Sequence, residues 1–230
     1  MGKLQIISHS GESFIDRQEA GALLAGQLGA FKNKDTVVLG IPRGGIIVGR
    51  EIALKLGAKI DVVLARKIGS PINPEVAVGA VAETGELFVN SRIALLTGTD
   101  NAYIQRGKNY QMAEINRRGE LFREAIPKIP LKGKVVIVTD DGASTGATMQ
   151  AALWSLRREG PKKLIVALPV SHPDTLETLV IDADMLICLK APPYFNAVGQ
   201  FYANFDQVSD EKVLTVLKGY NLHRESATPG

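Results

Sequence analysis

The sequence has few of the residues that stabilise small secreted proteins or build metal centres. It contains one cysteine, Cys188, in 230 residues, so no disulfide can form within the chain. The neighbours of Cys188 are apolar, which predicts a core residue rather than a nucleophile. The three histidines, His9, His172 and His223, are scattered and lack the spacing of metal ligands. These features favour a reducing, cytoplasmic compartment.

Long apolar runs and a strong net charge are also missing. No apolar run approaches the roughly 20 residues that span a bilayer, and residues 1–10 lack a signal-peptide pattern. The net charge of +3 is too small to indicate nucleic acid by itself. We therefore expect neither a membrane nor nucleic acid as a partner. With 45% hydrophobic and 22% charged residues, the composition is typical of one globular domain, with or without an insertion.

Positive charge is concentrated in the segment between Arg92 and Lys134. This segment holds nine basic and four acidic residues, a net charge of +5, and includes a long polar helical stretch from Asp100 to Ala125. A solvated helical face is the simpler interpretation. An electropositive rim that binds anionic ligands or partners is the alternative.

The sequence is organised around the stretch from Val135 to Thr148. Its first residues are apolar and β-branched, which predicts a strand buried on both faces. Asp140 and Asp141 follow at the end of this strand, and the residues from Met149 to Arg158 predict a helix. Between them lies a loop of small and hydroxyl residues, here called the phosphate loop: Gly142, Ala143, Ser144, Thr145, Gly146, Ala147 and Thr148.

Such a loop can hold a phosphate dianion, because it opens a helix and has free N–H groups and hydroxyls that can contact the anion. The two aspartates would repel the same phosphate. They suit a neutral polyol, or a divalent metal carried by a second phosphate group. The alternative is a strand that ends in an Asp-Asp-Gly turn and binds nothing.

A second candidate anion site lies between a predicted strand, Thr36–Ile41, and a predicted helix, Ile46–Leu56. Its sequence is Pro42-Arg43-Gly44-Gly45, here called the arginine–glycine loop. Alone it is a weak signal, because any turn between a strand and a helix can carry glycines.

Two cations, Arg66 and Lys67, follow a third predicted strand over residues 60–65. Burying them without a partner would be costly, so we expect them to face solvent or an anion. Residues 76–82 and 87–90 then flank Glu83-Thr84-Gly85-Glu86, which predicts a β-hairpin.

The rest of the chain alternates predicted strands and helices. Asp16 is expected to cap a first helix, and the C-terminal part predicts a helix from Asp210 to Lys218 followed by a tail. Strand, helix and strand are predicted over 163–169, 175–180 and 185–189. This alternation predicts an α/β fold with a mostly parallel sheet, whose ligands bind at the carboxyl ends of the strands.

The segment from Pro192 to Phe205 concentrates much of the aromatic content. Its rings could stack on a planar base, or pack a core edge or a dimer contact, and the sequence does not decide between these interpretations. The candidate rings are Tyr194, Phe195, Phe201 and Tyr202.

Taken together, these motifs resemble the type I phosphoribosyltransferases. The strand, the two acids and the phosphate loop match the family's signature for 5-phosphoribosyl 1-diphosphate (PRPP). The similarity is closest to bacterial and archaeal proteins known mainly as predicted phosphoribosyltransferases. It implies a parallel sheet flanked by helices, a β-hairpin flap and a small hood subdomain. One domain would span residues 1–220, with a helical insertion over 91–130 and the hood over 191–206, followed by a tail over 221–230.

The resemblance also implies ligands and roles. PRPP and Mg²⁺ would bind, and a nitrogen acceptor would displace pyrophosphate; a homo-oligomer such as a dimer is implied as well. Asp140 and Asp141 would hold the ribose and the metal, and the phosphate loop would hold the 5-phosphate. Pyrophosphate would contact Arg43, Gly44, Gly45, Arg66 and Lys67. The catalytic residues would be Arg66 and Lys67 together with the two aspartates. The hood rings would contact the base.

One residue departs from part of the family. Enzymes that act on 6-oxopurines often carry an aspartate before the Thr-Gly of the loop, and this chain has Ser144. Serine cannot act as that general base at neutral pH, so adenine, a pyrimidine or another amine is the expected acceptor. A sensor of PRPP or nucleotides without turnover is the alternative function. A sugar-phosphate binding protein is a third.

Overall fold

The computed structural model describes residues 2–32, 34–74 and 76–227, with side chains as far as residue 220. Its strands are, in chain order, β1 (Lys3–Ser8), β2 (Thr36–Gly40), β3 (Lys59–Val62), β4 (Ala65–Gly69), β5 (Ala77–Ala82), β6 (Leu87–Val89), β7 (Val135–Thr139), β8 (Lys163–Val170) and β9 (Met185–Lys190). Its helices are α1 (Arg17–Gln27), α2 (Gly44–Leu56), α3 (Ser91–Leu96), α4 (Asn101–Arg123), α5 (Ala147–Arg158), α6 (Pro173–Leu179) and α7 (Asp210–Ala227).

The main sheet is parallel throughout, in the order β1-β9-β8-β7-β2-β3. The strand predicted at residue 135 is β7, and its residues from Val136 to Thr139 are buried. β2 and β7 are neighbours, but the chain proceeds from β2 to β3 on one side and from β7 to β8 on the other. The strand order therefore reverses between β2 and β7, where open α/β sheets form their ligand crevice.

Helices cover both faces of this sheet. α1, α2 and α7 pack with one side of it, and α5 and α6 pack on the other. Asp16 caps α1 as predicted, because its Oδ1 accepts hydrogen bonds from the backbone N–H groups of Gln18 and Glu19 at 2.8 and 2.9 Å. α2 ends at Gly57, whose φ of 64° lies in the left-handed region that glycine adopts most readily.

A second, antiparallel sheet contains β4, β5 and β6 and packs against α4 and α5. The predicted strand over residues 60–65 is confirmed as β3 but ends earlier than predicted, because the chain leaves the parallel sheet after Val62 and begins β4 at Ala65. Val63 and Leu64 are both buried, so the apolar run continues through the break and conceals it in the sequence. Arg66 and Lys67 consequently lie inside β4 rather than after the end of a parallel strand.

The chain ends differ from the prediction. α7 continues to Ala227 instead of ending at Lys218, because Val213, Leu217 and Tyr220 keep a buried face at helical spacing. Residues 221–227 of the predicted tail are thus helical, and residues 228–230 lie outside the described part of the chain. β1 was not predicted, and α3 lies within the expected helical insertion over 91–130. None of the helices described here is long and apolar enough to cross a membrane.

Candidate active site at the carboxyl ends of β2 and β7

The arginine–glycine loop and the two aspartates meet where β2 and β7 end. A Cβ atom added to Gly44 would lie 1.9 Å from Oδ2 of Asp141, and one added to Gly45 would lie 3.1 Å from Oδ1 of Asp140. A side chain at either position would collide with the neighbouring aspartate, so both positions require glycine. Two sequence motifs far apart in the chain lie together here, and both were predicted at the carboxyl ends of parallel strands.

The phosphate loop is held in place by the end of β8. The backbone N–H of Ala143 donates to Val170 O at 3.0 Å, and the Thr175 hydroxyl donates to Ser144 O. Gly146 precedes α5 with a φ of 71°, and the backbone N–H of Ala147 donates to the Thr145 hydroxyl at 3.5 Å. The loop encloses a cavity of about 190 Å³, also lined by Lys67 and Asp140. A cationic side chain, exposed hydroxyls and a helix N-terminus favour an anion here.

The two carboxylates differ in their surroundings. Oδ2 of Asp141 forms an ion pair with Nε of Arg17 at 2.8 Å, and the Asp141 carbonyl accepts from the Tyr202 hydroxyl at 2.5 Å. Oδ1 of Asp140 accepts from the Asp141 backbone N–H at 2.8 Å. Burial raises the pKa of the Asp140 carboxyl well above its usual value, and the adjacent charge of Asp141 adds to this shift.

Arg17 belongs to the site, but the sequence analysis missed it. Its guanidinium lies over the Phe205 ring at 3.9 Å and donates to Asp206 O at 2.9 Å, in addition to its contact with Asp141. Arg17 therefore connects the start of α1, the end of β7 and the C-terminal aromatic segment. It lies 124 residues from Asp141 in the chain, and no local motif marks it.

Arg66 and Lys67 are successive residues of β4, and their side chains have different neighbours. Lys67 lines the cavity of the phosphate loop. Arg66 faces α4, where its Nε donates to Oε1 of Gln111 at 2.6 Å. Arg43, in the arginine–glycine loop, is exposed, and its peptide bond with Pro42 is cis.

The aromatic segment forms part of a layer built from both ends of the chain. The N–H of Phe14 donates to Phe201 O at 2.8 Å, and the N–H of Ala203 donates to Phe14 O at 2.8 Å. The rings of Phe201 and Tyr202 are buried, and Phe195 packs against Phe201 with ring centroids 5.1 Å apart. Tyr194 is 87% exposed. Phe201 and Tyr202 thus pack the core edge, which was one of the two interpretations of this segment.

The predicted hairpin is confirmed as β5 and β6, and β5 is buried along its whole length. The turn is attached to the body of the protein by Arg123, whose Nε contacts Oε1 of Glu83 at 2.7 Å and whose Nη1 contacts Asp61. Burial raises the pKa of Asp61, although the charge of Arg123 opposes this shift. The role of the hairpin as a closing flap stays a prediction.

The basic segment is extensively paired within the structure. Five of its nine cations form ion pairs with acids, several of them outside the segment. These cations are Arg117, Arg118, Arg123, Lys128 and Lys134. Such intramolecular pairing argues against a nucleic-acid surface, and a rim that binds small anionic ligands stays a prediction.

The carboxylates of Asp140 and Asp141 offer the hard oxygen donors that Mg²⁺ prefers. Within the residues described, no group of three or more His, Cys, Asp or Glu side chains could hold a metal alone. Two carboxylates fit the usual arrangement for Mg²⁺, in which the protein supplies one or two ligands and substrate phosphates supply others.

Comparison with known proteins agrees with this architecture. The profile of the family described as phosphoribosyl transferase domain matches residues 15–206. A candidate phosphoribosyl transferase of Mycobacterium tuberculosis is 40% identical over 217 residues, which are 94% of this chain and 48% of that protein. The chain thus spans about half the length of the curated relatives it matches.

A solved structure is similar over nearly its whole length. The crystal structure of the protein TT1426 from Thermus thermophilus is 43% identical, with a TM-score of 0.84, and the match covers 90% of this chain and 99% of that one. The family profile likewise covers most of the sequence. This chain therefore belongs to the phosphoribosyl transferase domain family, and its flanked parallel sheet has the type I architecture.

Proposed function

We propose that this domain transfers the 5-phosphoribosyl group of PRPP to a nitrogen acceptor and releases pyrophosphate, with Mg²⁺ as the metal. The observation that carries the proposal is the approach of Gly44 and Gly45 to Asp141 and Asp140. It brings a ribose-binding pair of acids, a phosphate loop and a second anion loop together in one crevice. Membership of the family supports the same reaction.

Each part of PRPP has a matching part of the site. The 5-phosphate would bind in the cavity of the phosphate loop, beside Lys67. The ribose hydroxyls would hydrogen-bond to Asp140 and Asp141, and Arg17 would keep the second carboxylate in position. The diphosphate would lie against the arginine–glycine loop. When bound, Mg²⁺ would be held by the two aspartates and would neutralise diphosphate charge.

In the reaction, the bond between ribose C1 and the diphosphate oxygen breaks, and its electron pair leaves with the diphosphate. A bond forms between C1 and the acceptor nitrogen, which then loses a proton. Positive charge develops on the ribose in between, and the carboxylates of Asp140 and Asp141 favour it. The chain supplies mainly positioning and charge, since no side-chain covalent chemistry is required.

The acceptor is proposed to be adenine, a pyrimidine or another amine rather than a 6-oxopurine. Ser144 is exposed in the phosphate loop, at the position where enzymes that act on 6-oxopurines often carry an aspartate. Serine cannot act as the general base that this aspartate would supply. The acceptor would lie on the side of the Tyr194 ring, which is exposed, while Phe201 and Tyr202 are committed to packing.

The test is a screen of nucleobases and amines with PRPP and Mg²⁺, in which released pyrophosphate and the phosphoribosylated product are both measured. The variant with Asp140→Asn and Asp141→Asn serves as the control for contaminating activity. Acceptor-dependent release that the control variant lacks is the expected result. Tight PRPP binding with no product from any acceptor would contradict transfer and favour the sensor.

A further inference from the structure

A second cavity adjoins the cavity of the phosphate loop, between β4 and α4. Its volume is about 320 Å³, and it shares Lys67 and Thr148 with the first cavity. Pro42 of the arginine–glycine loop also lines it. The other charged and polar side chains of its wall are Arg66, Tyr103, Gln111 and Arg118. α4, within the segment expected to be a helical insertion, thus builds one wall of a cavity next to the proposed active site.

The charges in this wall are positive. Arg66, Lys67 and Arg118 are cations, and no carboxylate occurs among the described residues that line the cavity. Glu114, on the same helix, contacts Nε of Arg118 at 2.7 Å and Nε of Arg117 at 2.9 Å. Arg117 has a second carboxylate partner, Asp210, at 3.2 Å. The described lining of the cavity therefore offers three cationic side chains and no carboxylate of its own.

The surroundings of Arg66 fit an anion site as well. Its guanidinium is half-buried and oriented by the hydrogen bond from Nε to Gln111. Burial lowers the pKa of Arg66, and the positive charge of Arg118 lowers it further. A bound anion would offset both effects, because it supplies the opposite charge in a place where water is partly excluded.

We infer that α4 completes the leaving-group site, with Arg118, Arg66 and Gln111 contacting the outer phosphate of the diphosphate. The inference rests on the proposed function, which locates the diphosphate at the arginine–glycine loop. Pro42 of that loop also lines the second cavity. Lys67 lines both the second cavity and the cavity proposed for the 5-phosphate. α4 then has a role in the reaction.

The test compares the affinities of the full chain for Mg²⁺-pyrophosphate and for ribose 5-phosphate, measured by calorimetry. Arg118→Gln should weaken pyrophosphate binding by about 10- to 100-fold, the usual effect of losing a hydrogen bond to a charged group. It should leave ribose 5-phosphate unchanged, because that ligand lacks the diphosphate. Arg117→Gln is the matched control, since Arg117 is a neighbour on α4 but lines neither cavity.

A second variant guards against misfolding. Gln111→Glu has nearly the same shape and gives Arg66 an ionic partner, so it should not lower the melting temperature. It should nevertheless weaken pyrophosphate binding by about 10-fold or more, because it adds a negative charge to the cavity. Unchanged pyrophosphate affinity in Arg118→Gln and Gln111→Glu, with ribose 5-phosphate still bound, would overturn the role of α4 and leave the proposed function standing. A wild-type protein that binds neither ligand would contradict the proposed function itself.

Discussion

Replacing Gly44 by alanine tests the close approach on which the active site depends. The new methyl group would lie 1.9 Å from Oδ2 of Asp141, 2.6 Å from its Cγ and 3.0 Å from Nε of Arg17. Contacts this short cannot persist, so the Asp141 side chain must move. That movement breaks the ion pair with Arg17, whose partners are only 11% and 17% exposed.

The cost can be worked from these contacts. Losing a charge-assisted hydrogen bond costs about 1.5–3 kcal/mol, and overpacking costs about 1–3 kcal/mol. One displacement causes both, so we take the combined cost as about 2–4 kcal/mol rather than the sum. Alanine also recovers about 1 kcal/mol relative to glycine in a helix. The expected net loss for Gly44→Ala is therefore about 1–3 kcal/mol.

Thermal unfolding followed by circular dichroism, without ligand, measures this loss. For a chain of this size, about 1 kcal/mol corresponds to roughly 2–4 °C, so the melting temperature should fall by about 2–12 °C. Gly26→Ala is the control, because Gly26 is exposed in α1 with nothing within 4 Å of an added Cβ. That variant should be slightly more stable than the wild type. If Gly44→Ala matched the control, Asp141 would be free to move and the packing argument would be wrong.

Four further outcomes are expected. Because burial raises the folded-state pKa of Asp140, its favourable contribution to stability exists below the ordinary carboxyl pKa and is lost as pH rises through the folded pKa. Asp140→Asn should therefore raise the melting temperature at about pH 8 but not near pH 4; no gain at the higher pH would contradict the shift. The unmodified protein, which has Ser144, should turn over hypoxanthine and guanine far more slowly than its best acceptor, and steady-state rates that match would refute this. If the hairpin acts as a flap, binding of Mg²⁺-PRPP should slow hydrogen exchange at the turn. Glu83→Gln should speed this exchange in the free protein, because it breaks the contact with Arg123. An exchange rate that does not change on ligand binding would mean that the turn is purely structural. Cys188 is buried, with a pKa raised to about 12 by that burial, so thiol reagents should label it only after unfolding, and rapid labelling of the native protein would count against its core position.

Local sequence determined the phosphate loop and its surroundings. The apolar run of β7, the paired acids and the small residues before α5 are contiguous. The strand and the turn that follows it can therefore be identified from the local residue pattern alone. The same holds for the arginine–glycine loop and for the caps at Asp16 and Gly57. Parallel strands leave their carboxyl ends on one edge, so the sequence predicts both loops at that edge, whereas the pairing of β2 with β7 is decided by the tertiary structure.

Three-dimensional packing decided what lies around these loops. Arg17 reaches Asp141 across 124 residues of sequence, and that contact depends on how α1 packs against the sheet. Lys67 lines both cavities and Arg66 only the second, and this arrangement depends on β4 belonging to a second sheet, which the largely apolar stretch from Ile60 to Ala65 does not reveal. Periodicity reports which residues are buried, but it carries no information about the element that buries them. Tertiary structure therefore determines which residues surround the site, whereas the local sequence determines its central motif.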